Sequence, residues 1–289
     1  MSVFPEDYVE HVLEDIQYNV AGRKIIKAGL IERYTIRAMH PLKMHANPND
    51  EFSQPAIGPN FEIISGYVKA VRQAQIHGLP IFEEPIIVEK LEGDGYLLLN
   101  GHHRWFAALR MSVGKVAVRI VNLVHEEDMS RMISSTDNNR RIVFDLHEVL
   151  LTEDEKDLEP IRDTLFAKRI KERLRAGAGE VIRRYQAAGY DVWIYTTSYD
   201  SEEYINNFFS MYELTVNGIV NGISEKRHSK TDEAERIKKM MAEKYIQALN
   251  VDNEGAVLID SVTKNFEQYS FDNCGQTWSE SVIALLDKL

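Results

Sequence analysis

The sequence predicts a two-domain α/β protein, in which a mixed α+β domain precedes a domain built on a parallel, doubly wound sheet. In the first half, short apolar runs are joined by a glycine-rich turn, a pattern typical of a β-hairpin. In the second half, β-rich runs alternate with amphipathic helical segments, which favours a parallel sheet. A polar stretch, 125–139, separates the halves, and we therefore place the domains at 1–139 and 140–289.

The composition is that of an ordinary globular chain. Its 289 residues are 44% hydrophobic and 27% charged, and no apolar run is long enough to cross a membrane. The one cysteine, Cys274, excludes an internal disulfide, and the first residues form no signal segment, so we expect a cytoplasmic protein. The net charge of −11 argues against broad, non-specific binding to duplex DNA.

The first candidate site is a strand-to-helix junction made of five residues: Asn100, Gly101, His102, His103 and Arg104. Such a junction brings backbone N–H groups and the positive end of a helix towards an anion. Two imidazoles and a guanidinium add donors that suit phosphate. The residues therefore predict a phosphate or nucleotide site, and a helix start with solvated polar side chains is the alternative.

A long loop ahead of the junction is rich in residues that break secondary structure. It spans 46–60 and contains prolines, a glycine and several asparagines. Long irregular loops beside a binding site often act as lids, so we expect this one to lie near the junction.

The order of elements around the junction resembles the ParB/sulfiredoxin-like fold over about residues 30–125. Its Gly-His-His-Arg form is similar to the branch that includes free-serine kinases, which implies ATP or another nucleotide as ligand and kinase activity as one candidate function. Sulfiredoxins carry a catalytic Cys where this chain has His102, so the resemblance does not extend to that activity. An Asp commonly precedes the Gly in the kinase branch, whereas Asn100 is a poor general base.

The second candidate site collects residues at the ends of predicted strands. Asp145, Thr196 and Asp260 each follow a β-rich run, and Lys230 precedes a helical segment. Open α/β sheets bind their ligands at the carboxyl ends of strands. A carboxylate can attack phosphorus, a hydroxyl and an ammonium can hold phosphoryl oxygens, and a second carboxylate can bind Mg²⁺.

This constellation resembles the haloacid dehalogenase (HAD-like) superfamily over about 141–289, which implies a Rossmann-like parallel sheet. The resemblance implies that Asp145 is the nucleophile and a Mg²⁺ ligand, and that Asp260 is the second Mg²⁺ ligand. The resemblance also implies that Thr196 and Lys230 bind the phosphoryl oxygens. Lys226 is the alternative to Lys230 in this role. Asn265 would assist Asp260 at the metal site.

The chain departs from the superfamily pattern at two positions. His147 stands where a second Asp usually acts as general acid or base, and imidazole can take that role near neutral pH. Ser261 stands where a second acid often follows the last motif. The short segments after the first two strands imply little or no cap, and hence an open site that admits large substrates.

Together these observations predict a bifunctional phosphoryl-transfer protein. The first domain would bind a nucleotide and act as a kinase, and the second would be a Mg²⁺-dependent phosphatase. Its substrates would be phosphomonoesters, with nucleic-acid ends and nucleotides preferred. Two alternatives stay open: a non-catalytic nucleotide-sensing protein, favoured by Asn100, His147 and Ser261, and a ParB-like nuclease, which an acidic chain supports little.

Overall fold

The computed structural model describes residues 6–152, 154, 157–161, 172–222, 232–271 and 275–289. The chain folds into two compact units, and the division between them falls after Asn122. Each unit has a hydrophobic core of its own. Within the described ranges, no helix combines the length and the apolar character needed to cross a bilayer.

The first unit combines one mixed sheet with helices. Its strands are β1 (Ile25–Ile26), β2 (Arg37–Met39), β3 (Met44–His45), β4 (Ile86–Leu91), β5 (Gly95–Asn100) and β6 (Val116–Ile120). Its α-helices are α1 (Glu6–Asp15), α2 (Leu30–Tyr34), α3 (Phe61–His77) and α4 (His102–Arg110). The strands lie in the order β2-β6-β4-β5-β3, and β1 pairs with β4.

The predicted hairpin and the helix after it are confirmed. Strands β4 and β5 pair antiparallel, and Gly93 takes a φ of 88° in the turn between them. Helix α4 starts directly after β5 and is buried on most sides, with Trp105 at 2% exposure and Ala107 and Ala108 fully enclosed. The small alanines let α4 pack closely against its neighbours.

The second unit is a layered α/β structure. Its strands are β7 (Arg140–Asp145), β8 (Leu151–Thr152), β9 (Arg173–Leu174), β10 (Tyr190–Tyr195), β11 (Gly218–Val220), β12 (Gln247–Val251), β13 (Gly255–Asp260) and β14 (Phe266–Ser270). Its α-helices are α5 (Glu126–Ser134), α6 (Ala178–Ala187), α7 (Glu202–Ser210), α8 (Asp232–Lys244) and α9 (Trp278–Ala284). The main sheet has the order β11-β10-β7-β12-β13-β14, and β8 pairs with β9 separately.

The main sheet is only partly parallel. Strands β11, β10, β7 and β12 run parallel, as the sequence predicts, whereas β13 and β14 each run antiparallel to the strand before them. Only Asp252, Asn253 and Glu254 separate β12 from β13. A parallel crossover needs a dozen or more residues, so this short connection can only form a hairpin. The expectation of a parallel sheet is therefore wrong for its last two strands.

The boundary between the units lies one helix earlier than the sequence indicates. Helix α5 falls within the predicted first domain, 1–139, but it belongs to the second unit. Its residues Met129 and Met132 are buried in the core of that unit. The polar composition of 125–139 hides this helix, because only these two of its side chains are fully buried, with Ile133 partly buried beside them.

A buried carboxylate accepts hydrogen bonds from three side chains at the edge of the core of the second unit. Asp191 is fully buried and accepts hydrogen bonds from Thr136 Oγ1 (3.1 Å), Asn138 Nδ2 (2.9 Å) and Tyr245 Oη (2.7 Å). Trp193 Nε1 donates to the same tyrosine oxygen at 2.9 Å. Burial and the neighbouring carboxylate raise the pKa of Tyr245, which therefore stays protonated and donates.

Replacing Tyr245 by Phe should destabilise the second unit. The change removes a donor from a buried carboxylate and an acceptor from Trp193, so we expect a loss of about 2 kcal/mol in the free energy of unfolding. Urea denaturation measures it. The matched control is Tyr269→Phe, because Tyr269 donates to Glu267 at an exposed position. Equal losses in the two variants would contradict this account of the network.

Candidate functional site

The junction between β5 and α4 is an uncapped helix start. Gly101 is the N-cap residue and has a φ of 95°, a left-handed conformation that glycine adopts without strain. No side chain caps the helix. The backbone N–H groups of His103 and Arg104 have no acceptor among the described residues, and they are the donors that a helix start offers to an anion.

Arg104 is held rigidly beside this turn. Its side chain is buried, with the residue 7% exposed, and Nη1 donates to the backbone oxygen of Glu84 (2.9 Å) and to its carboxylate (3.3 Å). The Nε and Nη2 atoms face Gly101, where an added Cβ would lie 3.1 and 3.2 Å from them. Glycine suits this position for two reasons: it adopts the left-handed backbone angle without strain, and an added Cβ would press against the guanidinium.

The two histidines are fixed by the two ends of the 46–60 loop. His102 is buried, and its Nε2 accepts from Asn47 N at 3.4 Å. His103 Nε2 accepts from Asn60 N at 3.1 Å. The ring of Phe52 lies 5.2 and 5.1 Å from the two imidazoles. The loop therefore packs directly on the candidate site, as the sequence predicts for its position.

A cavity of about 360 Å³ collects all five predicted residues. Its wall also includes two carboxylates and two apolar side chains. The lining residues are Asp50, Ile63, Tyr67, Glu84, Asn100, Gly101, His102, His103 and Arg104. A neighbouring cavity of about 540 Å³ shares Tyr67, Glu84 and Arg104 with it. The volumes lie in the range of small-molecule sites.

In the second unit, Asp145 ends the central strand of the parallel part of the sheet. Strand β7 has β10 on one side and β12 on the other, which makes its carboxyl end the point where the strand order reverses. Asp145 Oδ1 accepts from the N–H groups of His147 and Glu148, both at 2.9 Å. No donor in the described part of the chain reaches Oδ2. A π-helical turn, Leu146–Leu150, follows at once, and such turns are frequent at functional sites.

His147 and Thr196 meet beside Asp145, but not as the sequence analysis expects. Thr196 is 1% exposed, and its Oγ1 lies 2.9 Å from His147 Nδ1. Its hydroxyl donates to Ser198 Oγ at 3.1 Å. Because that hydroxyl has one hydrogen and the side chain is buried, Thr196 has no donor left for a phosphoryl oxygen.

The topology separates Asp260 from Asp145. Asp260 pairs with Gln247, which pairs in turn with Arg140 at the start of β7, so Asp260 lies at the opposite edge of the sheet. Its Oδ1 accepts from the N–H groups of the following turn, and the bond from the backbone of Thr263 holds the pKa of this carboxyl below its usual range. Asp260 therefore does not share a metal site with Asp145.

Asp252, and not Asp260, is the acidic residue that lies at the end of a neighbouring strand, level with Asp145. It follows Val251, which pairs with Phe144, and it therefore lies level with Asp145 at the same edge. The sequence does contain a feature that indicates this position. Only three residues separate two β-rich runs here, and so short a connection predicts a hairpin, in which the second strand runs antiparallel to the first. Lys230 and its rival Lys226 lie outside the described residues. The described part of the chain holds no group of three or more His, Cys, Asp or Glu side chains placed for one metal ion.

Comparison with known proteins identifies one segment. The family model of the ParB N-terminal domain matches residues 75–136, which include β4, β5, the Asn100–Arg104 junction and α4. No curated protein matches the chain. Most of this ParB-like segment lies in the first unit, and its last residues include α5 of the second unit. The predicted resemblance is confirmed for that segment.

One solved structure with similarity to this chain is that of the C-terminally truncated chromosome-partitioning protein ParB from Caulobacter crescentus, complexed with CTP-gamma-S. The identity is 20%, the TM-score is 0.25, and the match covers 36% of this chain and 56% of that one. This chain thus corresponds to little more than half of that protein's structure.

His103 should make the first unit less stable in mild acid. Burial lowers the pKa of His103, with Asp50 opposing the shift, so the folded protein binds fewer protons here than the unfolded chain. The neutral, buried imidazole therefore makes its full contribution to the free energy of unfolding above the pKa of the unfolded chain, about 6.5. This contribution is lost as the pH falls towards the lower pKa of His103 in the folded protein. We expect His103→Gln to reduce the fall in urea midpoint between pH 7.5 and pH 5.5. An equal fall in the variant would show that His103 does not titrate in this way.

Proposed function

We propose that the first unit binds a nucleotide through its phosphate groups at the Asn100–Arg104 junction. The observation that carries the proposal is the meeting of an uncapped helix start and the edge of a buried guanidinium in one cavity. The match of residues 75–136 to the ParB N-terminal domain supports it. Each of these groups is a donor, and together they suit a charged, multi-oxygen ligand.

The residues that carry these donors line one cavity. Backbone N–H groups of His103 and Arg104 would hold one phosphate, and the Nε and Nη2 atoms of Arg104 offer a planar pair of donors to the same oxygen atoms. His103 accepts from Asn60 through Nε2, so its ring proton is on Nδ1, where a neutral imidazole can still donate.

Two carboxylates in the same wall favour a nucleotide that carries Mg²⁺. Asp50 and Glu84 line the cavity and would repel a bare polyphosphate. Mg²⁺ is usually bound by one or two carboxylates together with phosphate oxygens and water, and these side chains fit that pattern. A kinase reaction would also need a base for the acceptor hydroxyl, and Asp50 and Glu84 are better suited than Asn100.

Replacing Arg104 by Lys should weaken nucleotide binding. Lysine keeps the charge but loses the planar pair of donors beside Gly101, so we expect about a tenfold rise in Kd. Isothermal titration with ATP, CTP, GTP and UTP, each with Mg²⁺, measures it. Arg110→Lys is the matched control, because Arg110 is exposed at the far end of the same helix.

Two results would contradict the proposal. One is a wild-type protein that binds none of the four nucleotides. The other is an Arg104→Lys variant that binds as tightly as Arg110→Lys.

A second candidate function rests on the free oxygen of Asp145. We propose that the second unit is a HAD-like phosphohydrolase in which Asp145 Oδ2 attacks a phosphomonoester. The carboxylate forms a bond to phosphorus as the ester P–O bond breaks, and the leaving alkoxide takes a proton from water. A water molecule then hydrolyses the aspartyl-phosphate, which releases inorganic phosphate and restores the Asp145 carboxylate. Asp145 stands at the topological switch point with one oxygen anchored and the other without a partner in the described residues.

The residues present fit a Mg²⁺ ion with few protein ligands. The carboxylates of Asp145 and Asp252 and the backbone carbonyl of His147 would hold it, and water would complete the shell. The ion would offset negative charge on the phosphoryl oxygens. Substrates in this proposal are phosphomonoesters on nucleotides or nucleic-acid ends.

Replacing Asp145 by Asn should abolish phosphate release. We expect activity on nucleotides, phosphoserine and end-phosphorylated oligonucleotides to fall by at least about 100-fold, because an amide oxygen is a poor nucleophile. Asp252→Asn should also lower the activity and raise the Mg²⁺ concentration needed. Asp260→Asn is the matched control and should behave as wild type, since it lies at the other edge of the sheet.

The same assay separates the alternatives. No phosphate release from any compound, with nucleotide binding intact, would favour a sensing protein. Cleavage of the oligonucleotides themselves would favour a nuclease. Loss of activity in Asp260→Asn but not in Asp252→Asn would contradict the site described here.

A further inference from the structure

Behind His147 runs a chain of hydroxyl groups that ends on a carboxylate. Thr196 Oγ1 lies 2.9 Å from His147 Nδ1 and 3.1 Å from Ser198 Oγ. Ser198 Oγ in turn lies 2.6 Å from Asp200 Oδ2. These contacts join residues of the loop after β10 to the turn that follows Asp145.

The Asp200 carboxylate at the end of this series of hydroxyl groups determines the direction of each hydrogen bond in it. An ionised carboxylate can only accept, so Ser198 must donate its single hydrogen to Asp200. Ser198 Oγ then accepts from the Thr196 hydroxyl and from Asp200 N at 3.4 Å. With one donor and two acceptor positions filled, the Ser198 hydroxyl is complete.

The donor and acceptor positions of the Thr196 hydroxyl are filled in the same way, and this determines which ring nitrogen of His147 carries the proton. Its hydrogen goes to Ser198, and one lone pair accepts from Ser198 N at 3.0 Å. The remaining lone pair faces His147 Nδ1 at 2.9 Å. Two acceptors cannot share a hydrogen bond without a proton, so Nδ1 must carry it.

We propose that Ser198 and Asp200 are positioning residues that hold His147 as its Nδ1–H tautomer and leave Nε2 as the acceptor of the site. The tautomer follows from the hydrogen bonds alone, whereas its use in catalysis rests on the phosphohydrolase proposed above. The Asp200 backbone oxygen accepts from the side chain of Asn221, which is 1% exposed, so the end of the chain is itself anchored.

The second ring nitrogen of His147, Nε2, lies on the partly exposed side of the imidazole. Nε2 is 3.8 Å from Glu172 Oε1, and 31% of the His147 side chain is exposed. Asp145 Oδ1 accepts the backbone N–H of His147, so the ring is tied to the turn that carries the nucleophile. At 3.8 Å the Glu172 carboxylate lies beyond hydrogen-bond distance of Nε2. In the Nδ1–H tautomer Nε2 can therefore accept a hydrogen bond from a water or alcohol, as a second carboxylate would do at this position.

Removing the Ser198 hydroxyl should reverse the tautomer. In Ser198→Ala the Thr196 hydrogen loses its acceptor and turns to His147 Nδ1, which must then be unprotonated, with the proton on Nε2. Long-range ¹H–¹⁵N spectra of ¹⁵N-histidine protein report which ring nitrogen is protonated, and His147→Gln assigns the signal. We expect Nδ1–H in wild type and Nε2–H in Ser198→Ala.

The kinetic arm uses Ser201→Ala as its control. Ser201 caps α7 through a bond from Tyr204 N, so its loss affects a helix and not the hydroxyl chain. We expect Ser198→Ala to lower kcat about tenfold with little change in KM, since Nε2 no longer accepts. Ser201→Ala should keep both the wild-type kcat and the Nδ1–H signal.

Two results would overturn the proposal: Nε2–H in the wild-type protein, or an unchanged tautomer in Ser198→Ala. A changed tautomer with unchanged kcat would overturn the catalytic part alone. Absence of phosphatase activity in wild type would overturn the function proposed for the second unit, and the spectra would still decide the tautomer.

Discussion

The direction in which each strand runs decides which side chains can meet, and both candidate sites depend on it. A strand presents its last residue at one edge of the sheet, and the next element starts there. In the second unit, β7, β10 and β12 run parallel and bring Asp145, Thr196 and Asp252 to a common edge. The reversal at β13 takes Asp260 to the other edge. The chemistry available to this unit therefore follows from a hairpin of three connecting residues.

The same constraint acts in the first unit through a single glycine. Strand β5 ends at Asn100, and the left-handed backbone of Gly101 starts α4 at once. This leaves the first N–H groups of the helix open, and it lets the guanidinium of Arg104 approach the backbone. The loop 46–60 then fixes the two imidazoles through Asn47 and Asn60. The open helix start is thus a consequence of how strand and helix are joined.

Local features could be predicted from the sequence, and features that depend on three-dimensional convergence could not. The Asn100–Arg104 junction lies within one stretch of chain, so its hairpin, glycine and helix start were all visible. Asp252 was missed because its position depends on the direction of a later strand. The hydroxyl chain from His147 to Asp200 joins residues about fifty positions apart and leaves no pattern in the sequence. Helix α5 was hidden because only two of its side chains, both methionines, are buried.

The central claim is that open backbone amides at the start of α4 receive a phosphate. The most direct measurement is a ¹H–¹⁵N NMR titration of the full chain with MgATP and with MgCTP, following the assigned amides of His103 and Arg104. The account predicts that these two amides shift strongly and saturably, while amides at the end of the same helix move little. Saturable binding that leaves both amides unshifted would place the nucleotide elsewhere and contradict the account.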